Sequence, residues 1–281
     1  MCAKESTVIN QTTGPIAILG AGNVGQALAR GLVATGKLPA ADITLTRRHA
    51  DKLEEPAAAG FDTTTDNRAA IARAHLVVVA VQPRQLDELL AEIQSTLDPS
   101  RHVLISVVTG VSLQQIQAQV GEKVPVLRAI PNTAIAIGRS MTCLAASTAH
   151  RAALPLAHDL FQSVGETLEI DESMTEAATA LCACGVAFFL RSIRAASQGG
   201  IEIGFHPNEA LLMAAQTARG AAGLLIRDRS HPEPEIDRVT TPRGCTIAGL
   251  NEMEHRGFSS AMIKGIVTSA RKAAELYGPK G

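Results

Sequence analysis

The 281-residue sequence has no tryptophan and one tyrosine, and aromatics make up only 2% of it. That scarcity argues against an aromatic-rich β-sandwich and leaves Ala, Gly and branched aliphatics to pack closely spaced helices and strands. No long run of like charge occurs and the formal net charge is -1, so neither a nucleic acid nor an anionic membrane surface is the expected partner. The five cysteines, Cys2, Cys143, Cys182, Cys184 and Cys245, contain no C-x-x-C pair. An odd count in a chain too large to need disulfide staples points to a reducing compartment. Cys182 and Cys184, two residues apart on a helix, point in divergent directions with no His or Cys partner nearby in the sequence, so no metal site is expected. The first fourteen residues lack the basic and apolar regions of a signal peptide, and the apolar run Ala177 to Leu190 is too short to span a bilayer. A soluble, cytoplasmic protein is expected.

The length and 46% hydrophobic content provide for two packed domains. Pro15 to Gly20 is a short apolar run ending in glycine, followed by Val24, Ala27, Leu28 and Leu32 at helical spacing. This reads as strand, turn, helix. The alternation continues with strands at Ile43 to Thr46, Phe61 to Thr64, Leu76 to Val81, Val103 to Val107 and Val124 to Ala129. Helices between them are expected at Ala50 to Ala59, Asn67 to Arg73, Leu86 to Leu97 and Leu113 to Val120. Such alternation gives a doubly wound parallel sheet, an α/β fold of the Rossmann type that binds ligands at the carboxyl ends of its strands. A strand at Met141 to Ala146, a helix at Arg151 to Ser163 and a short strand near Thr167 to Ile170 close this domain. From Ser173 only Ala-rich segments of helical length remain, broken near Gly204 to Pro207, His231 to Pro234 and Gly257. The expected organisation is a polar extension over 1–14, a dinucleotide-binding domain over 15–172 and an all-helical domain over 173–281. The stretch His231 to Glu235 is expected as an exposed turn.

Gly20-Ala21-Gly22-Asn23-Val24-Gly25 is G-x-G-x-x-G placed where strand becomes helix. The first glycine permits the tight turn, Gly22 lets backbone approach a pyrophosphate at the helix N-terminus, and Gly25 lets helix and strand pack closely. The alternative, a glycine-rich turn without ligand, is disfavoured by its position at the head of a repeated alternation. An NAD-selective site would carry Asp or Glu at the end of the second strand. This chain has Thr46-Arg47-Arg48 there, which suits a 2′-phosphate and favours NADPH, with NADH as the alternative cofactor. Solvated surface arginines are the competing reading.

A second constellation, Val239-Thr240-Thr241-Pro242-Arg243-Gly244-Cys245-Thr246-Ile247-Ala248-Gly249-Leu250, joins a turn to an apolar, helix-like stretch. Small residues expose backbone N–H groups, and the hydroxyls of Thr241 and Thr246 add directed donors, so a carboxylate would fit; a capped helix without ligand fits equally. His206 and His231, each beside a proline, are read as structural, Lys264 as solvated and Cys245 as a small packed thiol.

This stretch resembles the C-terminal signature of the pyrroline-5-carboxylate reductase family, approximately T-S-P-G-G-T-T-I. The likeness extends further: Gly20 to Gly25 with Ala27 and Gly31-Leu32 resembles the family's first turn. Val79-Ala80-Val81-Gln82-Pro83 resembles its V-K-P segment, and Arg128-Ala129-Ile130-Pro131-Asn132-Thr133 its R-x-M-P-N-T. The resemblance implies a Rossmann domain, a helical domain that interlocks with a second subunit, and reduction of a cyclic imine to proline. It places Asn67 at the adenosine half of the cofactor and Ala80 and Pro83, with Val81 and Gln82 between them, at the nicotinamide side. Thr246 would meet the imine nitrogen, while Thr241, Arg243 and the turn amides of Gly244, Cys245 and Thr246 would receive the carboxylate. The chain departs from the family pattern at Gln82 for Lys, at Arg243 for glycine, and at Leu181-Cys182-Ala183-Cys184-Gly185-Val186-Ala187-Phe188 for L-S-G-S-G-P-A-Y. These departures leave open two other readings: a reductase of another cyclic imine or a hydroxy acid, and a catalytically silent NADP-binding dimeric regulator.

Overall fold

Four short strands build the centre of the first structural unit: β1 (Ile16–Leu19), β2 (Ile43–Thr46), β4 (Leu76–Val79) and β5 (Val103–Ser106) are buried at every position. Burial on both faces is why β1 and β4 read as unbroken hydrophobic segments, whereas β2 alternates Ile43 and Leu45 with the buried Thr44 and Thr46 and β5 ends on the buried Ser106. With β3 (Asp62–Thr64), β6 (Val126–Ile130), β7 (Ser140–Ala146) and β8 (Gly165–Glu169) they form an eight-stranded sheet of order β3-β2-β1-β4-β5-β6-β7-β8. The computed structural model describes residues 14–275, so nearly all of the expected polar extension, Cys2 included, lies outside the described residues.

Successive side chains of β1 separate into two cores. Ile16 and Ile18 join Leu28 and Leu32 of α1 (Asn23–Ala34) and Leu160 and Phe161. Ala17 and Leu19 join the opposite layer, with Ile71, Leu90 and Ile116. Those residues belong to α3 (Asn67–Arg73), α4 (Leu86–Ile93), α5 (Leu113–Val120) and α6 (Leu154–Gln162), introduced after the short α2 (Glu54–Ala58).

The alternation predicted a parallel sheet; the structure is parallel except at one pair of strands. β7 runs antiparallel to β6, with Ile130 opposite Cys143. The reversal is made by a 3-10 turn, Thr133–Ile137, capped by the Asn132 side chain, which accepts from the Ala134 N–H, and closed by Gly138 in the left-handed region. A strand pattern carries no direction, so only the connection decides it. Some helical segments are also shorter than their apolar patterns: Ala50–Leu53, Gln94–Thr96 and Thr148–Ala153 are 3-10 turns at the ends of α2, α4 and α6.

One compact unit runs to Ala183 and takes in the chain from Ala270; the other is Cys184–Ser269. Beyond β8 come α7 (Thr175–Ala178), a π-helical turn (Thr179–Cys184), α8 (Gly185–Glu202), α9 (Pro207–Asp228), α10 (Pro232–Arg238), α11 (Cys245–His255) and α12 (Phe258–Glu275). The stretch His231 to Glu235 is therefore the start of α10 and not a turn, with the His231 side chain accepting from the Glu233 N–H. His206 precedes Pro207 in the same way, its N–H bound by Glu209. Both histidines cap helices.

Two further expectations change. The apolar run at Ala177 belongs to a continuous 31-residue helical stretch, Glu172–Glu202, long and apolar enough by length and composition to cross a membrane. Its most apolar window is only 28% buried within the chain. Cys182 does have a cysteine neighbour: its Sγ lies 3.8 Å from that of Cys143, brought from 39 residues away by β7.

Candidate functional site

The carboxyl ends of β1, β2 and β4 open onto a cavity of about 410 Å³. Its lining includes Gly20, Gly22, Thr46, Arg47, Arg48, Asn67, Ala80, Val81 and Gln82. Strand order changes direction between β1 and β4, the place where doubly wound sheets leave a crevice. Of the other residues expected there, Ala21 and Gly25 are buried beneath the loop; Asn23, Val24 and Pro83 are not part of the lining.

Gly20 has φ +96°, and a Cβ on it would meet the Ala80 carbonyl oxygen and Val81 Cγ1 at 2.8 Å, so a side chain would both strain the turn and strike the β4 end. At Gly25 a Cβ would come within 2.6 Å of the Gly20 carbonyl oxygen, which keeps α1 tight against the turn. The helix begins at Gly22 with no side-chain cap and no acidic residue in its first turn. Its opening N–H groups and the positive end of its dipole are thus available to an anion.

Hydrogen bonds hold the far wall. The Ala21 N–H donates to the Thr46 carbonyl at 2.8 Å and the Gly20 N–H to Thr46 Oγ1 at 3.4 Å. Thr46 Oγ1 donates to Asn67 Oδ1 at 2.6 Å, and Asn67 Nδ2 donates to the Glu92 carboxylate at 3.0 Å. This relay fixes which face of the Asn67 amide is donor and which acceptor.

Arg47 and Arg48 sit on the rim, with an Arg47 guanidinium nitrogen 3.8 Å from where a Gly22 Cβ would be. Sequence reading missed two companions, His49 and Lys52, which also line the cavity. The signal was present in the basic cluster Arg47-Arg48-His49-x-x-Lys52; only the turn of chain after β2 shows that all four reach one opening. Glu88 and Glu92 were missed as well, because α4 supplies them from a distant part of the sequence. Gln82, standing where the family pattern has Lys, opens the 3-10 turn Pro83–Gln85, its N–H bound by Gln85 Oε1 at 3.3 Å.

Thr241, Arg243, Gly244, Cys245 and Thr246 form a turn and helix start in the second unit. The Gly244 N–H donates to the Thr241 carbonyl at 2.9 Å. With Pro242 second and Arg243 third at φ +62°, the turn has the features of type II. The family's glycine suits that backbone, so Arg243 is held in a conformation that costs a non-glycine residue about 1 kcal/mol. α11 starts without a side-chain cap and without acid in its first turn, and the Thr246 hydroxyl makes no hydrogen bond among the described residues. Cys245 is exposed rather than packed, which corrects the expectation of a buried small thiol.

Residues 172–276 match the family profile described as pyrroline-5-carboxylate reductase dimerisation, and residues 15–110 that described as NADP oxidoreductase, coenzyme F420-dependent. Pyrroline-5-carboxylate reductase 1 of Dictyostelium discoideum is 50% identical over 94% of this chain, which spans half of that protein's length. Pyrroline-5-carboxylate reductase 2 of the same organism is 45% identical, with 92% of each chain covered. Among solved structures, Plasmodium falciparum pyrroline carboxylate reductase with NADP bound shares the fold at a TM-score of 0.86 and 20% identity, covering 95% of this chain and all of the other. With the glycine-loop cavity and the Thr241–Thr246 turn both in place, and with near full-length identity of 45%, the chain belongs to the pyrroline-5-carboxylate reductase family.

Proposed function

We propose that this chain reduces 1-pyrroline-5-carboxylate to L-proline with NADPH, the final step of proline biosynthesis. The observation that carries the reading is the open start of α11: uncapped amides and two threonine hydroxyls make a receptor for a small carboxylate. When bound, the reduced nicotinamide supplies a hydride. The cavity suits that group, because a Cβ at Gly20 or Gly25 would close the loop and the rim is cationic.

The protein's own contribution is positioning. The Gly20, Ala21 and Gly22 amides are engaged within the turn, so the opening α1 amides of Asn23, Val24 and Gly25 receive the pyrophosphate, Asn67 meets the adenosine half, and Ala80 and Pro83 flank the nicotinamide. Arg47, Arg48 and Lys52 hold the 2′-phosphate. Thr246 donates to or orients the imine nitrogen, and Thr241, Arg243 and the amides of Cys245 and Thr246 neutralise the carboxylate, the Gly244 amide expected there being held by the Thr241 carbonyl. A protonated imine is already electrophilic, so no histidine is required as general base.

The working unit is a homodimer through the C-terminal helices. Phe189 and Leu190 of α8 and Leu212 and Ile226 of α9 are each at least 60% exposed in the single chain, an apolar surface suited to a second copy. Coverage of Phe189 and Leu190 by that copy also accounts for the apolar face of α8 in a soluble, cytoplasmic enzyme. Following NADPH absorbance with pyrroline-5-carboxylate tests the assignment. Turnover is expected; cofactor binding without turnover would instead favour the silent regulator, and turnover only with another imine would change the substrate.

Two results follow from particular side chains. Arg47→Leu and Lys52→Met are each expected to raise KM for NADPH about tenfold, because a charge-assisted bond to phosphate contributes about 1.5–3 kcal/mol. KM for NADH should move little, since it lacks the 2′-phosphate; equal loss for both cofactors would reject the contact. Arg243→Gly is expected to raise unfolding free energy by up to about 1 kcal/mol by relieving the left-handed backbone. The same change should raise KM for the imino acid while leaving KM for NADPH unchanged.

A further inference from the structure

Cys143 lies in β7 with its side chain in a small apolar cluster formed with Ile130, Met141, Ala178 and Ala183, and it is 3% exposed. Across that cluster the π-helical turn Thr179–Cys184 presents Cys182, which is partly exposed, with the two Sγ atoms 3.8 Å apart. Asn132 fastens the same turn from the other side, its Nδ2 donating to the Cys182 carbonyl at 3.3 Å. A π turn is a local widening of the helix and a recurrent feature of functional positions. This one occupies the segment where the family pattern has L-S-G-S-G and this chain has Leu181-Cys182-Ala183-Cys184-Gly185.

We propose that Cys143 and Cys182 are a redox-modifiable pair that peroxide converts reversibly to an intrachain disulfide, with Cys182 the attacking thiol and Cys143 the resolving one. A disulfide bond of about 2.05 Å requires the sulfurs to approach by less than 2 Å, within reach of side-chain rotation. The division of roles follows from exposure: oxidant reaches Cys182, whereas Cys143 is enclosed. It also follows from the hydrogen bond between the thiols. With Cys143 as donor, that bond lowers the Cys182 thiol, while the bond and burial push Cys143 up.

In the first step the Cys182 thiolate attacks one oxygen of hydrogen peroxide; the O–O bond breaks, the attacked oxygen stays on sulfur as Cys182 sulfenic acid, and the departing hydroxide takes up the proton the thiol had released and leaves as water. In the second, the Cys143 sulfur attacks Cys182 Sγ, the S–O bond breaks, and the Cys143 proton leaves with the hydroxyl as a second water. Each sulfur gives up one electron to the new bond's formation, and the two peroxide oxygens are reduced. A dithiol reductant reverses the change.

Treating the full-length protein with equimolar hydrogen peroxide, alkylating the remaining thiols and digesting without reductant tests the pair. The expected product is a Cys143–Cys182 linked peptide that disappears on dithiothreitol treatment, with Cys184 and Cys245 still alkylated. Cys143→Ser should stop the sequence at its first step, leaving Cys182 sulfenic acid that a dimedone probe captures, whereas the unaltered protein gives little adduct. Cys182→Ser, which restores the family residue at a partly exposed position, should abolish both the linked peptide and the adduct. A Cys182–Cys184 link, a link between two copies through Cys182, or peroxide that oxidises Cys245 while the Cys143–Cys182 pair stays reduced would each overturn the proposal.

Discussion

Thr246→Ala is expected to lower kcat for pyrroline-5-carboxylate by about 100-fold or more while leaving the unfolding midpoint unchanged, the scale on which removal of one oriented donor acts. The separation of effects comes from its place in the fold. Thr246 is the second residue of α11, in a helix start with no side-chain cap, and its hydroxyl makes no hydrogen bond among the described residues. Nothing structural rests on that oxygen. Alanine is at least as good a helix former as threonine, so the stability change should stay within about 0.5 kcal/mol. Thr246→Ser keeps the hydroxyl and should retain most of the turnover. Steady-state kinetics beside thermal unfolding distinguishes the roles: an Ala variant at full activity would remove Thr246 from the reaction, and one that lost activity through unfolding would make it structural.

The second large effect lies in the first unit. Replacing Glu172 and Glu176 together by Gln is expected to reduce unfolding free energy by about 1–3 kcal/mol, less than for a fully buried pair because the two carboxylates keep 34% and 30% of their side-chain surface exposed to screening water. Arg128 of β6 is nearly fully buried, with its side chain 3% exposed. Its Nη1 donates to Thr175 Oγ1 at 2.7 Å and lies 3.7 Å from Glu176 Oε1 and 3.9 Å from Glu172 Oε1. Burial pushes the guanidinium below its ordinary range, and the two carboxylates pull it back. Because arginine stays charged in proteins, removing both carboxylates strands a cation in the interior. Gln at 172 keeps an oxygen for the Leu113 N–H, which Glu172 accepts at the start of α5, so the loss reports charge rather than a missing cap. Denaturant unfolding of the double variant checks the size. Adding Arg128→Met removes the stranded charge and should recover part of the stability; a double variant as stable as the parent would show that Thr175 alone suffices for Arg128.

The Arg128 cluster also shows where sequence reading reaches its end. Arg128 was legible as part of an R-x-I-P-N-T segment, but its partners stand more than forty positions on, at the start of the long helical stretch. The same holds for Glu92 on Asn67 and Lys52 on the cavity rim: each residue was visible, and its neighbour was not. In contrast, β2 at Ile43–Thr46, α3 at Asn67–Arg73 and α5 at Leu113–Val120 keep the boundaries expected of them. Their signals are local. β2 is a short β-prone run, Asp66 caps α3 through the Arg68 and Ala69 N–H groups, and Ser112 and Gln115 form a capping box at α5.

By itself the sequence determined the strand-turn-helix glycine loop, the alternation that builds a Rossmann-type unit, the helical second unit and the basic end of β2. All of these depend on periodicity, glycine and caps, interactions that act within a few residues. Tertiary structure alone decided that β7 turns antiparallel, that four basic residues share one opening, and that Arg128 meets two carboxylates. It also decided that Cys143 faces Cys182 across 39 positions. Strand direction and side-chain pairing are settled by how the layers close over a common core, and that closure depends on the whole chain at once.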